Sequence, residues 1–376
     1  MAATLFRLLP LLAILGYGHV LADDSVEPPS QLAELLGSDA DARFARALAP
    51  RTFTFPEDHG PHPEFRNEWW YVTGNLDDED GGRFGFELTI FRFALTPTVS
   101  ASSSAWRTNQ VYIAHLAVTD AENNGFHVAQ RYSRGAVGLA GAEAAPFRVW
   151  IDDWEIAGQP HTRAWRLRAS DAAVGVDLEL LPLKPPVLNG IDGLSQKSAD
   201  PKNASYYYSI TRMQTEGTLR IGERDYAVSG LSWLDREWST SALAADQVGW
   251  DWFALQLDDG SELMLYGLRL KDGSWDSASA GTFVNADGAA THLDADDAEI
   301  IVLDNWASPE GGTYPARWQL QVKRFGIDVT VTPVINDQEL FTTVRYWEGA
   351  VDVVGERNQL PVGGRGYVEL TGYADE

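Results

Sequence analysis

Beyond residue 50 the chain never sustains an apolar repeat of helical period. It runs instead through short segments rich in aromatic and β-branched residues, among them EWWYVTGNL, RFGFELTIFRF, VYIAHLAVTD, WDWFALQL and GYVELTGY. Clusters of Gly, Asp and Asn such as DDEDGG, ENNG and KDG separate them and mark tight turns. A chain patterned this way is confined to antiparallel hairpins, so the expected fold class is all-β. A hydrophobic content of 44% is ample for a packed core. Fourteen Trp, thirteen Tyr and fifteen Phe suit strands and apolar pockets.

The order of features repeats. EWWYVTGNLDDEDGGRFGFELTIFRF (68–93) and WDWFALQLDDGSELMLYGLRL (250–270) each give an aromatic strand, a Leu-Asp-Asp turn with Gly, and an apolar strand. Each closes on an apolar-Arg-apolar triplet. Hairpins converge on such patterns, yet persistence over several elements favours duplication. The expected organisation is two tandem antiparallel β-barrel domains, over 51–220 and 221–376, with closure removing exposed strand edges. Ahead of them, MAATLFRLLPLLAILGYGHVLA reads as a signal peptide over 1–22. Residues 23–50 read as a linker with one short helix from Ser30. The expected location is therefore periplasmic or secreted. Cysteine is absent, which removes both disulfides and a lipid-modified cysteine anchor. A formal charge of −25 repels phosphate backbones and argues against nucleic acid as a partner.

The stretch SGLSWLDREWSTS sets three charges between two tryptophans in an otherwise apolar strand. Alternation places Trp233, Asp235 and Glu237 on one face, and Leu234, Arg236 and Trp238 on the other. Two carboxylates sharing a face repel, so one stays protonated near neutral pH. A protonated acid among aromatics is what general-acid chemistry on an apolar substrate requires. The competing reading is a structural ion pair with Arg66, Arg92 or Arg345. Catalytic expectations therefore fall on Asp235, Glu237 and Trp233.

A Pro/Gly loop, FPEDHGPHPEFRNEWWYVTG, carries His59, His62, Arg66 and Glu68 into Trp69 and Trp70 of the first strand. His-x-x-His beside carboxylates is a weak zinc pattern, and the same loop can cap a barrel or rim a pocket. No metal is assigned to it. Glu87 interrupts a strand apolar on both faces, which suits a barrel wall with a polar group inside. His115 sits mid-strand, either as a hydrogen-bonded core residue or as a partner of Glu87 or Asp235. No nucleophile elbow, phosphate loop or dinucleotide fingerprint occurs, so no cofactor is implied.

The motifs DHGPHPEFRNEWWYVTGNL, QVYIAHLAVTD, VSGLSWLDREW, GWDWFALQLDDG and GYVELTGY resemble the AttH/CrtC family of lipocalin-like proteins, from about Phe53 to Tyr373. The resemblance implies two lipocalin-like β-barrel domains in tandem. The family includes acyclic carotenoid hydratases and is similar to fungal pericyclases. Many exported bacterial members are labelled secreted hydrolases and are encoded beside ABC-type exporter permeases. In the hydratases an aspartate shortly after an aromatic is implicated as the acid, and Asp235 with Trp233 matches that position. A His and a Trp stand on a preceding strand in those enzymes. Here Tyr206 and Tyr208 take their places, and Trp250 and Trp252 complete the expected binding residues. By this resemblance the chain is expected to be an exported monomer that acts on or binds a hydrophobic lipid- or isoprenoid-like molecule. It would be a hydratase or hydrolase using Asp235, or a non-catalytic periplasmic carrier working with an ABC-type exporter.

Overall fold

The computed structural model of the chain describes residues 42–99, 101, 103–159, 162–241 and 243–374. The expected signal peptide and the short helix from Ser30 lie outside the described residues. Among those described there is no α-helix, only strands and three single 3-10 turns.

Thirteen strands make the first sheet. They are β1 (Asn67–Asp78), β2 (Arg83–Ala94), β3 (Gln110–Asp120), β4 (Gly125–Arg134), β5 (Ala140–Ala144), β6 (Phe147–Ile151) and β7 (Trp154–Gly158). There follow β8 (Trp165–Ser170), β9 (Val174–Pro182), β10 (Val187–Leu188), β11 (Leu194–Gln196), β12 (Ala204–Ile221) and β13 (Arg224–Ser239). Ten more make the second: β14 (Gln247–Leu257), β15 (Glu262–Leu270), β16 (Ala280–Val284), β17 (Ala290–Asp294) and β18 (Glu299–Ala307). The remainder are β19 (Thr313–Val322), β20 (Ile327–Pro333), β21 (Glu339–Phe341), β22 (Arg345–Arg357) and β23 (Leu360–Thr371).

Both sheets are antiparallel and open with the same strand order, though the first continues for two strands more. The first runs β4-β3-β2-β1-β13-β12-β9-β8-β7-β6-β5, and the second β17-β16-β15-β14-β23-β22-β20-β19-β18. In each, the opening strand pairs with the closing strand, β1 with β13 and β14 with β23. The repeated sequence pattern occupies β1–β2 and β14–β15, the same station in each sheet. The fold is all-β and is consistent with two barrel domains in tandem. The change of sheet falls between Ser239 and Gln247. The division expected at 220/221 instead lies at the turn of the β12–β13 hairpin, inside the first sheet.

Strand alternation explains the cores. Even-numbered residues of β1 and β2, such as Trp70, Val72, Phe86, Leu88 and Ile90, fill the interior of the first barrel. A second core built on Phe253, Leu255, Trp318 and Trp347 fills the other. A third cluster joins Tyr71, Tyr207 and Trp233 of the first sheet to Trp252, Tyr266, Ala350 and Tyr367 of the second. It lies between the sheets, so β1 and β2 are apolar on both faces for a reason the sequence did not show. Glu87 is corrected accordingly. It sits outside the packed interior, on the face that the second sheet covers.

The sheets touch closely. A Cβ added to Gly85 would lie 2.6 Å from that of Ala350, so bare backbone at residue 85 sets the approach. Hydrogen bonds and ion pairs cross nearby, from Asn75 Nδ2 to the Gly366 carbonyl (3.0 Å) and from Arg83 to Asp352 (2.8 Å). Arg365 meets Asp77 at 2.7 Å.

Candidate active site

Residues directly opposite each other on neighbouring strands share a face. Asp235 lies between Tyr71 of β1 and Ser209 of β12, and Glu237 between Trp69 and Tyr207. Trp233, Asp235 and Glu237 therefore face the second sheet, together with Trp69, Tyr71 and Tyr207. Leu234 and Trp238 turn into the first barrel.

Between the sheets is a cavity of about 130 Å³. Asp235, Glu237, Tyr207 and Lys197 line one wall, with Trp252, Tyr266, Leu268 and Glu369 opposite. Phe91, Ile113, His115 and Tyr346 close a third side. The partly exposed Trp69, Phe93, Trp250 and Val344 stand at the rim.

Asp235 is 3% exposed and accepts three hydrogen bonds. Trp233 Nε1 donates to Oδ1 at 2.7 Å, the Ser209 hydroxyl donates to the same oxygen, and the Tyr207 phenol donates to Oδ2. The Tyr207 oxygen in turn accepts from Trp252 Nε1 at 3.1 Å. These donors favour the carboxylate, but burial outweighs them and Glu237 adds repulsion. The Asp235 carboxyl is pushed up to about 7. Glu237 is spoken for: it accepts from Ser205 and pairs with Lys197 Nζ at 3.1 Å. Burial works against the Lys197 charge, yet Glu237 above all holds its pKa above the ordinary value, and its ammonium lies 4.3 Å from the Tyr266 ring centroid. Glu369, on the facing wall, is raised to about 8 by burial and by Asp235 and Glu237, against the Trp250 indole.

His115 cannot serve as a base here. Burial lowers it to about 3, its Nε2 accepts from the Gln130 amide (2.7 Å), and its Nδ1 meets the Tyr346 hydroxyl (2.6 Å). Beneath the cavity floor Glu87 and Glu348 are wholly buried among Tyr71, Tyr346 and Tyr367, and Tyr71 donates to Glu348. Burial first, then the charge of Glu369, drives both carboxyls well above the carboxylate range, and Glu87 adds to the rise at Glu348. A folded-state pKa above the unfolded one favours folding at low pH, and this contribution disappears as pH rises through the folded value. Thermal midpoints should therefore fall as pH rises from the ordinary Glu value of about 4.3 toward the raised folded values, and Glu348→Gln should flatten that decline. An unchanged slope in the variant would show that these acids do not titrate with folding.

The remaining predicted residues lie at one end of the first barrel, away from the cavity. His59 Nδ1 meets the Tyr208 hydroxyl at 2.6 Å, and Tyr206 donates to the Ala49 carbonyl at 2.9 Å. His62 bonds Asp58 at 3.0 Å and stacks flat on Trp238, centroids 3.8 Å apart. Glu68 is held between Arg92 and Arg236, with Arg236 lying 3.9 Å over the Trp70 ring. Burial would raise the Glu68 carboxyl, but the two guanidiniums keep it well below the usual range. The Arg66 backbone N–H donates to Thr240 in the same region. Among the described residues no three His, Asp or Glu side chains converge as metal ligands.

Of the expected site, then, Asp235, Glu237, Trp69, His115, Trp250 and Trp252 line the cavity, and Trp233 braces Asp235. His59, His62, Arg66, Glu68, Trp70, Tyr206 and Tyr208 do not line it, and Glu87 lies beneath it. The parity of β12 explains the tyrosines: Tyr206 and Tyr208 point into the barrel, while Tyr207 faces the cavity. Tyr207, Lys197, Tyr346 and Glu369 are site residues the sequence reading missed. Glu369 stands opposite Trp252 as Asp235 stands opposite Tyr71, a correspondence that appears only once the strands are paired.

The sequence model of the AttH-like family matches residues 46–373. The chain belongs to this family. A putative AttH protein from Nitrosomonas europaea is similar over 87% of this chain and 100% of its own, with 34% identity and a TM-score of 0.78. Kievitone hydratase from Nectria haematococca shares the fold at 18% identity and a TM-score of 0.65, over 89% of this chain and 97% of that one. None of the curated proteins matches the sequence. In this chain the cavity thus sits between the two sheets, with Asp235 and Glu237 from the closing strand of the first and Glu369 from that of the second.

Proposed function

We propose that this AttH-like protein adds water to a double bond of an apolar, isoprenoid- or lipid-like molecule lodged between its sheets. Asp235 carries the reading. A buried carboxyl at the wall of an aromatic cavity, with a pKa of about 7, can exchange a proton with a bound molecule at working pH. Trp250, Trp252 and Tyr266 supply π-electron density beside any cation formed on the substrate. An apolar cavity of about 150 Å³ encloses a benzene ring. The space here therefore takes one ring or one branched alkene end, with the rest of the molecule along the rim. Cleavage of the leader over 1–22 would put the chemistry in the periplasm or outside the cell. The name kievitone hydratase, borne by a structural neighbour, suggests kievitone as one defined substrate to assay.

Protein incubated in heavy-oxygen water, with kievitone and with apolar extract of the host membrane, should yield a product heavier by one molecule of that water. Absence of such a product from both, with unchanged lipid retained stoichiometrically in native mass spectrometry, would reject catalysis. The carrier working with an ABC-type exporter would then stand, and Asp235 would only brace the wall.

A further inference from the structure

We propose that Glu369 is the second working carboxyl of this cavity, the group that gives the proton which Asp235 takes back. The inference rests on the water-addition reading and deepens it. Its first support is the internal repeat. In the first sheet the opening strand pairs Tyr71 with Asp235 of the closing strand, and in the second the opening strand pairs Trp252 with Glu369. Tyr71 and Trp252 hold the same place in the repeated pattern, five residues before the Leu of each Leu-Asp-Asp turn. Duplication has thus set one carboxyl from each half on facing walls of a single cavity. Glu237, which also lines it, is occupied by Lys197.

The second support is the asymmetry of their surroundings. Asp235 receives Trp233, Ser209 and Tyr207, and the indole can only donate, so the environment is built for a carboxylate. Glu369 has among the described residues one opposing donor, the Trp250 indole, and faces Asp235, Glu237, Glu348 and Glu87, with Tyr71 beyond. Surrounded by acids, it keeps its proton longer than Asp235 does. The ordinary pKa order of the two residue types is preserved, at about 7 for Asp235 and about 8 for Glu369, and both values fall in the working range.

The step balances. The Glu369 O–H bond breaks, and the alkene π pair forms a new C–H bond to that proton. The cation left on the other alkene carbon is captured by a lone pair of a solvent water molecule. Asp235 accepts the proton that this oxygen then loses, and returns it to the Glu369 carboxylate through solvent. The net change is alkene plus water to alcohol, with no oxidation or reduction.

The test is an NMR titration of isotope-labelled side-chain carboxyls in the wild type, E369Q and D235N. Glu369 should titrate after Asp235, near 8. D235N should lower its midpoint by removing a charge already present, whereas E369Q should leave Asp235 near 7. A Glu369 midpoint in the ordinary carboxyl range, or the reverse pattern of shifts, overturns the assignment whether or not a substrate is in hand. On any molecule that gains water, E369Q should lower kcat roughly 100-fold with KM little changed. If D235N stops turnover and E369Q does not, Glu369 is not the donor and the proposed function survives. If neither variant matters, both readings fail.

Discussion

Replacing Glu68 by Ala is expected to lower the unfolding free energy by about 3–5 kcal/mol, the range for removing one partner of a buried ion pair. Its carboxylate sits fully buried between two guanidiniums that are themselves almost without exposure. Arg92 also donates to the Phe65 carbonyl (2.8 Å), and Arg236 to the Gly60 carbonyl (2.6 Å). Those neutral acceptors would remain in Glu68→Ala, but two like charges would be left in apolar surroundings with no counter-charge between them. Glu68→Gln should be milder, since an amide oxygen can still accept from one arginine. The sign with pH is set by the depressed carboxyl. Its stabilisation is present above the unfolded pKa and disappears only as pH falls through the much lower folded value. Urea unfolding at neutral pH decides the matter, and a loss under about 1 kcal/mol would mean that the loop, not the charge, fixes this end of the barrel.

Asp235→Asn should reduce turnover of any water-adding substrate by between about a hundred-fold and ten-thousand-fold, the usual span for removing a general acid or base. The amide cannot exchange a proton at working pH, while its size and place between Tyr71 and Ser209 are kept. KM should move little, because apolar contacts hold the molecule. In the wild type, kcat/KM should rise as pH passes about 7, where Asp235 ionises, and fall beyond about 8, where Glu369 does. The residual activity of Asp235→Asn should lack the rising limb. Turnover within about three-fold of wild type would exclude Asp235 from the chemistry.

Much of the fold was legible because β-sheet patterning is local. Period-two alternation and Gly/Asp turns revealed the strands, and the repeated Leu-Asp-Asp turn marked the same station in both sheets. The parity of SWLDREWS correctly separated Asp235 from Arg236. What stayed hidden was set by non-local pairing. Alternation divides a strand such as β2 into faces but does not say what covers each one, so the pattern around Glu87 suits a barrel interior and a face between sheets equally well. The three consecutive tyrosines of β12 differ only in parity against β13, and the choice of Tyr206 and Tyr208 over Tyr207 missed the one that meets Asp235. Lys197 comes just after a three-residue strand and reaches the cavity only through the folded chain. Arg236 pairs with Glu68, far away in sequence, and no periodicity announces that.

Pairing of the opening strand with the closing one has a consequence for how the molecule is made. Residues 67–78 have no lasting partner on one edge until residues 228–239 exist, and 251–257 wait likewise for 364–370. Contacts so distant along the chain form late, since the ends of a long loop must meet before any contact compensates the lost freedom. A growing polypeptide therefore displays raw, sticky strand borders. Each half becomes safe from its neighbours only when its final segment arrives, which makes the last dozen residues of β23 the stretch least able to tolerate truncation.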